Sequence, residues 1–309
     1  MDRPVPLIAL EVLADRKKNP AALLIKRSDA DEAASDLDEN GQEELERLAV
    51  LCKCHFLPGQ AGQENMEAAG WLPLPPGEWL AGDWYMGLPA KAGSSQSASR
   101  ALALQLVELV VADADNHEIE AVLRRDPALS YHLLRLVNSL GVGAGKKVGS
   151  FSQAILILGR TQLRRWLNLM LFSSRAGDDR AGMLLARAAS RARMMELLAR
   201  AAGLDKAGQE LAFMGGMFSL LGILFGMPLA DVLRPLQISE SLREALLEQR
   251  GELGTLLRVA NHAQAADFAS LATLLAGLQV GHAEFNLLVL QAYGWAMEVV
   301  RDSGGGQHG

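Results

Sequence analysis

The feature that most constrains this chain is a change of texture at residues 90–99, Ala90-Lys91-Ala92-Gly93-Ser94-Ser95-Gln96-Ser97-Ala98-Ser99. The stretch holds almost no large apolar side chain, so it reads as a linker. Before it, short apolar runs alternate with turns. Pro4–Val12 and Ala21–Lys26 read as buried strands bounded by proline and charge. Gly41–Lys53 has helical spacing, with Leu45, Leu48, Ala49 and Cys52 on one face, and Gln63–Gly70 reads as a short helix ending at a C′ glycine. Pro73, Pro75, Pro76 and Gly77 then force a loop. Strand, helix, strand, helix implies a small α/β unit.

After the linker every periodic segment is helical. Arg100–Ala112 carries Leu102, Leu106, Leu109 and Val110 on one stripe, and Glu118–Arg125 is short and amphipathic. Asp126 and Pro127 supply an N-cap and a first-turn proline for a helix to about Ser139. A glycine-rich loop follows over 140–149. Ser150-Phe151-Ser152-Gln153 is a capping box for a helix to Leu158, and Thr161–Phe172 comes next. Four or five more helices carry the chain to about Arg301. The expected fold is mainly α: a helical domain over 100–302, preceded by an α/β unit over 1–90 and a linker over 91–99, and followed by a disordered tail over 303–309.

Composition narrows the function classes. In 309 residues the net charge is −6 and the pI is near 5.6, which argues against the basic face that nucleic-acid binding needs. No uninterrupted apolar run reaches the roughly 20 residues of a spanning helix, and no signal peptide opens the chain, so membrane insertion is not expected and a cytoplasmic protein is. Cys52 and Cys54, with His55 beside them, lack the second ligand pair of a structural zinc site. Acids concentrate between Asp29 and Glu46. Arginines concentrate at Arg160, Arg164 and Arg165 and again at Arg187, Arg191, Arg193 and Arg200, and such runs read first as solvated faces.

Gly215-Gly216-Met217-Phe218-Ser219-Leu220-Leu221-Gly222 resembles the metal-binding helix of the HD phosphohydrolase superfamily, which reads Gly-Leu-Leu-His-Asp-Ile-Gly. In that register Ser219 stands at the histidine position and Leu220 at the aspartate position. Leucine cannot ligate a divalent cation, and a neutral hydroxyl is a poor replacement for imidazole. The resemblance therefore implies a vestigial metal site at Ser219 and Leu220, with no catalytic residue, metal or cofactor.

Asp126-Pro127-Ala128-Leu129-Ser130, Leu133–Ser139, Ser150–Ile155, Leu158-Gly159 and Thr161–Trp166 together resemble the HDOD domain, a helical relative of the HD and HD-GYP phosphohydrolases. Leu24–Asp29, Ala69-Gly70-Trp71 and Gly82–Pro89 resemble the last strands of an EAL domain, which implies an EAL–HDOD signalling architecture with a truncated EAL remnant. Lys26 and Asp29 alone do not assemble the carboxylate-rich two-metal site of an EAL phosphodiesterase, so neither hydrolysis nor binding of cyclic di-GMP is expected. The resemblance implies a catalytically inactive bacterial regulator that binds another signalling protein. Candidate partner-binding residues are Arg160, Arg164, Arg165, Trp84 and Tyr85. Two alternatives stay open: an HD-type metal-dependent phosphohydrolase, and a small-molecule sensor whose vacated site is lined by Met214, Met217, Phe218 and Leu221.

Overall fold

The computed structural model describes residues 5–28, 37–58, 63–87, 178–236 and 238–304, with Arg165 and scattered positions between 105 and 122. The linker at 91–99, the helices expected between 126 and 172 and the glycine loop at 140–149 lie outside the described residues.

Strands β1 (Ile8–Ala14) and β2 (Pro20–Arg27) form an antiparallel hairpin. Their alternating and continuous apolar runs leave both faces covered, and Ile8, Leu10, Leu13, Leu23 and Ile25 are all buried. Helix α1 (Glu39–Leu51) begins at Asp38, whose carboxylate accepts from Gly41 N. It crosses over to β3 (Lys53–Phe56), parallel to β2, and α2 (Gln63–Ala68) leads to the short β4 (Leu72–Pro73). Gly70, at φ +83°, makes the left-handed turn that stops α2. The sheet order is β1-β2-β3-β4.

The helical region holds α3 (Ala181–Ala201), α4 (Lys206–Phe218), α5 (Leu221–Phe225), α6 (Leu229–Leu233), α7 (Glu240–Glu248), α8 (Gly251–Ala265), α9 (Phe268–Leu278) and α10 (His282–Gly304). There are more helices than the four or five the sequence suggested, because Ser219, Gly226 and Gln249 break the long apolar stretches into short pieces. Helix α10 also runs to Gly304, past the start of the expected tail at 303; residues 305–309 lie outside the described residues.

Helix α3 is the axis of the bundle. It is buried nearly all round, from Met183 and Leu184 to Leu197 and Leu198, with Ser190, Arg191 and Glu196 buried among them, and a helix so enclosed is central. It packs on α4 at Gly216, where a Cβ would stand 2.5 Å from Ala192 Cα and 2.7 Å from Ala192 N. Only a glycine permits that approach. The stretch Lys206–Phe225, α4 and α5 taken together, is long and apolar enough to cross a membrane by length and composition, and 61% of its apolar 18-residue window is buried inside the protein. It reaches that length because Leu220 and Leu221 resume the apolar character directly after Ser219, at the joint between α4 and α5.

One hydrophobic core runs through both regions, from Leu7, Leu45 and Phe56 to Phe213, Phe285 and Val289. Helix α10 is the seam. Gly294 faces Leu48 of α1, and Arg47 pairs with Glu298 at 2.8 Å. The fully buried Asn286 accepts from Ile8 N at 3.0 Å and donates to Pro6 O at 2.8 Å, while His282 Nδ1 lies 2.8 Å from Val5 O. These side chains satisfy backbone groups leading into β1, which would otherwise be orphaned against the bundle.

Candidate functional site

The segment after β4 brings the sheet to the helices. Leu80 bridges Ala14 at the free edge of β1, and Gly82 N donates to Glu11 at 2.6 Å. The short turn Trp84–Met86 is thereby laid against α3. Arg180, just before α3, donates to the carbonyls of Tyr85 and Gly87 and is held by Asp178 at 2.8 Å.

Behind this turn α3 presents Arg187 and Arg191, four residues apart and on one face. Arg191 is 6% exposed. Its Nε donates to Gln264 Oε1 at 2.9 Å and its Nη1 to Ser219 Oγ at 2.8 Å. Ser219 in turn donates to Gly216 O at 2.7 Å. The Gln264 amide donates to Ser190 Oγ and to Arg187 O. The Arg187 side chain is 11% exposed and lies 3.6 Å from Asp83 Oδ1, itself largely exposed, while its buried Nε has no hydrogen-bond partner. Burial, and then the neighbouring Arg187, push the Arg191 guanidinium down to about 9, so it stays charged at neutral pH. The hydroxyls of Tyr85 and Tyr293 are pushed up, by burial above all, and both are neutral phenols here. Among the described residues Arg191 has no carboxylate partner.

The reading of Arg187 and Arg191 as a solvated face is thus corrected: both are turned inward because α3 has no solvent face at that height. Ser219 is the residue after α4, where it satisfies a buried guanidinium, and Leu220 is 2% exposed in the core. Met217, Phe218 and Leu221 are fully buried, and Met214 packs partly buried against them.

The other residues singled out by sequence separate. Arg165 is not free. It pairs with Glu196 at 2.6 Å and with Glu210, and its guanidinium lies 4.6 Å from the Phe213 ring centroid. Arg160 and Arg164 lie outside the described residues. Trp84 is partly buried against the core with a buried, unpartnered Nε1, and Tyr85 is buried beside it at 5.7 Å between ring centroids. Tyr85 therefore lies beside Arg187 and Trp84 packs edge-on against Tyr85, whereas Arg165 belongs to an ion-pair cluster with Glu196, Glu210 and Arg193.

No three histidines, cysteines or acids converge among the described residues. Strand alternation explains one case. Cys54 faces the main core, while His55 faces the other side and lies tilted against the Trp79 ring at 5.5 Å between centroids, so the two cannot share an ion. Cys52 is not in the strand; it caps α1, with its sulfur 3.8 Å from that of Cys54. The hydrogen bond to Cys52, together with burial, raises the Cys54 thiol. His262 does meet Asp267, at 2.9 Å, but as a pair joining the end of α8 to the cap of α9.

Residues 101–231 match the HDOD domain. The chain carries an HDOD domain. Arg187, Arg191, Ser219 and Leu220 fall within the matched segment, whereas Asp83, Tyr85, Gln264 and Tyr293 come from either side of it. The chain is 29% identical over 206 residues to the cyclic di-GMP phosphodiesterase CdgJ of Vibrio cholerae, covering 66% of this chain and 47% of that protein. It is 26% identical over 175 residues to the uncharacterized protein YuxH of Bacillus subtilis, covering 56% of this chain and 42% of that one. The chain thus spans less than half the length of these curated relatives. A solved structure from Shewanella amazonensis SB2B, named "Putative phosphohydrolase", matches with a TM-score of 0.48 at 19% identity, over 65% of this chain and 93% of that one.

Proposed function

We propose that this chain is a non-catalytic, cytoplasmic signalling protein whose HDOD domain acts by binding another protein. The observation that carries the reading is the Arg191–Ser219 hydrogen bond. In the register of an HD-type metal helix, the histidine position holds a serine whose oxygen is already committed to a buried guanidinium. A fixed positive charge there repels a divalent cation, and Leu220 offers no ligand. Lys26, in the stretch resembling an EAL domain, is engaged by Glu11 at 2.6 Å and so is not poised over an open site. The EAL-remnant reading and the domain limits at 90 and 100 belong to this proposal.

Partner binding is tested by capture from cell extract with the intact protein and with a variant carrying Arg164→Ala, Arg165→Ala and Trp84→Ala. Loss of a specific partner in a variant whose circular dichroism and melting temperature match the wild type supports the reading, and an unchanged set of partners contradicts it. The second reading, phosphodiester hydrolysis, is favoured by the name of the Vibrio cholerae relative. It requires bound metal and turnover.

A further inference from the structure

The Arg187–Arg191 pair poses a problem of charge. Buried charges are ordinarily paired, because removing an ion from water costs several kcal/mol unless an opposite charge replaces the lost solvation. Here two guanidiniums lie on one face of α3. Among the described residues Arg191 is met only by the neutral acceptors Gln264 and Ser219. Arg187 has a buried Nε with no acceptor and one long, solvent-side contact to Asp83 at 3.6 Å. The acid nearest in the sheet, Glu11, is already held by Lys26 at 2.6 Å and by Gly82 N at 2.6 Å. Arg180 is neutralised by Asp178. Among the described residues the cluster therefore carries a positive charge that the one long contact to Asp83 only partly offsets, flanked by the phenol hydroxyls of Tyr85 and Tyr293 and reaching solvent on the Asp83 side.

We infer that the junction between the Trp84–Met86 turn and α3 is a binding site for the phosphate group of a small molecule, held by Arg187 and Arg191 with Asp83 as the internal competitor whose displacement opens it. Planar guanidinium forks match phosphate oxygens, and two adjacent cations favour a dianion over a single carboxylate. Tyr85 can donate to the same oxygens once Asp83, which now accepts from it at 3.4 Å, swings out. The site lies where the sheet meets the helical bundle, so occupancy would tighten that seam. It is chemically distinct from the apolar sensor pocket expected around Met217 and Phe218, whose side chains fill the core. It is also independent of whether the HDOD domain captures a protein partner.

The test is thermal unfolding of the full chain with inorganic phosphate against chloride at matched ionic strength, in the presence of a chelator. A ligand that binds only the folded state raises its melting temperature in proportion to the logarithm of its concentration. The wild type is expected to respond to phosphate and not to chloride. Asp83→Asn, which removes the competing carboxylate, is expected to bind severalfold more tightly. Arg187→Met is expected to lose the response, and adenosine monophosphate in place of phosphate separates a nucleotide from the free ion. The inference is overturned if wild type and Asp83→Asn both ignore phosphate, or if Asp83→Asn binds no more tightly than wild type. Should Arg187→Met fail to fold, the Asp83→Asn comparison still decides. A phosphate response that is seen in a parallel run without chelator and is absent with it overturns the inference too, and would instead implicate a bound metal.

Discussion

At the scale of the residue, Ser219 and Arg191 depend on each other. Ser219→Ala leaves the buried Arg191 Nη1 without its acceptor, and an unmade bond to a buried charged group costs about 1–3 kcal/mol. Denaturant unfolding should show that loss at an unchanged slope. The Asp267 carboxyl, held below its ordinary value first by Ser270 and then by His262, gives a prediction with a definite sign. A depressed carboxylate contributes stability above its unfolded pKa, and that contribution disappears as pH falls through the folded value. Asp267→Asn keeps the cap and removes the charge. It should therefore melt below wild type at pH 7, and the difference should vanish once the pH drops below the ordinary carboxylate range. This scale was the least legible in the sequence. The spacing of Arg187 and Arg191 shows that they share a face. Which way that face points depends on α3 being surrounded, and that is a property of the other helices.

At the scale of the element, close approach and edge capping set the packing. Gly216→Ala would place a methyl carbon against the backbone of Ala192, which cannot rotate away, so a cost of about 1–3 kcal/mol or more is expected by denaturant unfolding. Asn286→Ala leaves Ile8 N and Pro6 O unsatisfied inside the protein, for about 2–4 kcal/mol, and amide exchange at Ile8 should accelerate ahead of that at Leu10. The elements themselves were largely legible. Proline and charge bound the two strands, Leu45 and Leu48 announce the buried face of α1, and Gly70 marks the end of α2. The joints were not. A single serine, Ser219, interrupts an otherwise apolar run from Met217 to Leu221, and only the fold shows the chain turning there. Asn286 gave no signal at all, since its partners lie 278 and 280 residues away.

At the scale of the whole molecule, the sheet and the helices share one core, with α1, β1 and α10 in contact. Unfolding should then be concerted. The emission of the fully buried Trp71, which donates to Leu45 O at 2.9 Å, should change at the same denaturant concentration as helical circular dichroism. Two separated transitions would mean that the α/β unit folds on its own. The HDOD domain supplies α3 and the Ser219 joint, and the flanking segments supply Asp83, Tyr85, Gln264 and Tyr293. The buried arginine pair and its surroundings are accordingly a property of the assembled chain.

The central claim is that a fixed guanidinium stands where an HD-type enzyme would need a metal. The measurement that meets it most directly is elemental mass spectrometry on protein purified without chelator, run beside a phosphodiesterase assay with cyclic di-GMP and a generic aryl phosphodiester. The expected result is no stoichiometric metal and no turnover of either substrate. One or two metal ions per chain, together with turnover, would contradict the assignment of Ser219 and Leu220 and establish a phosphodiesterase.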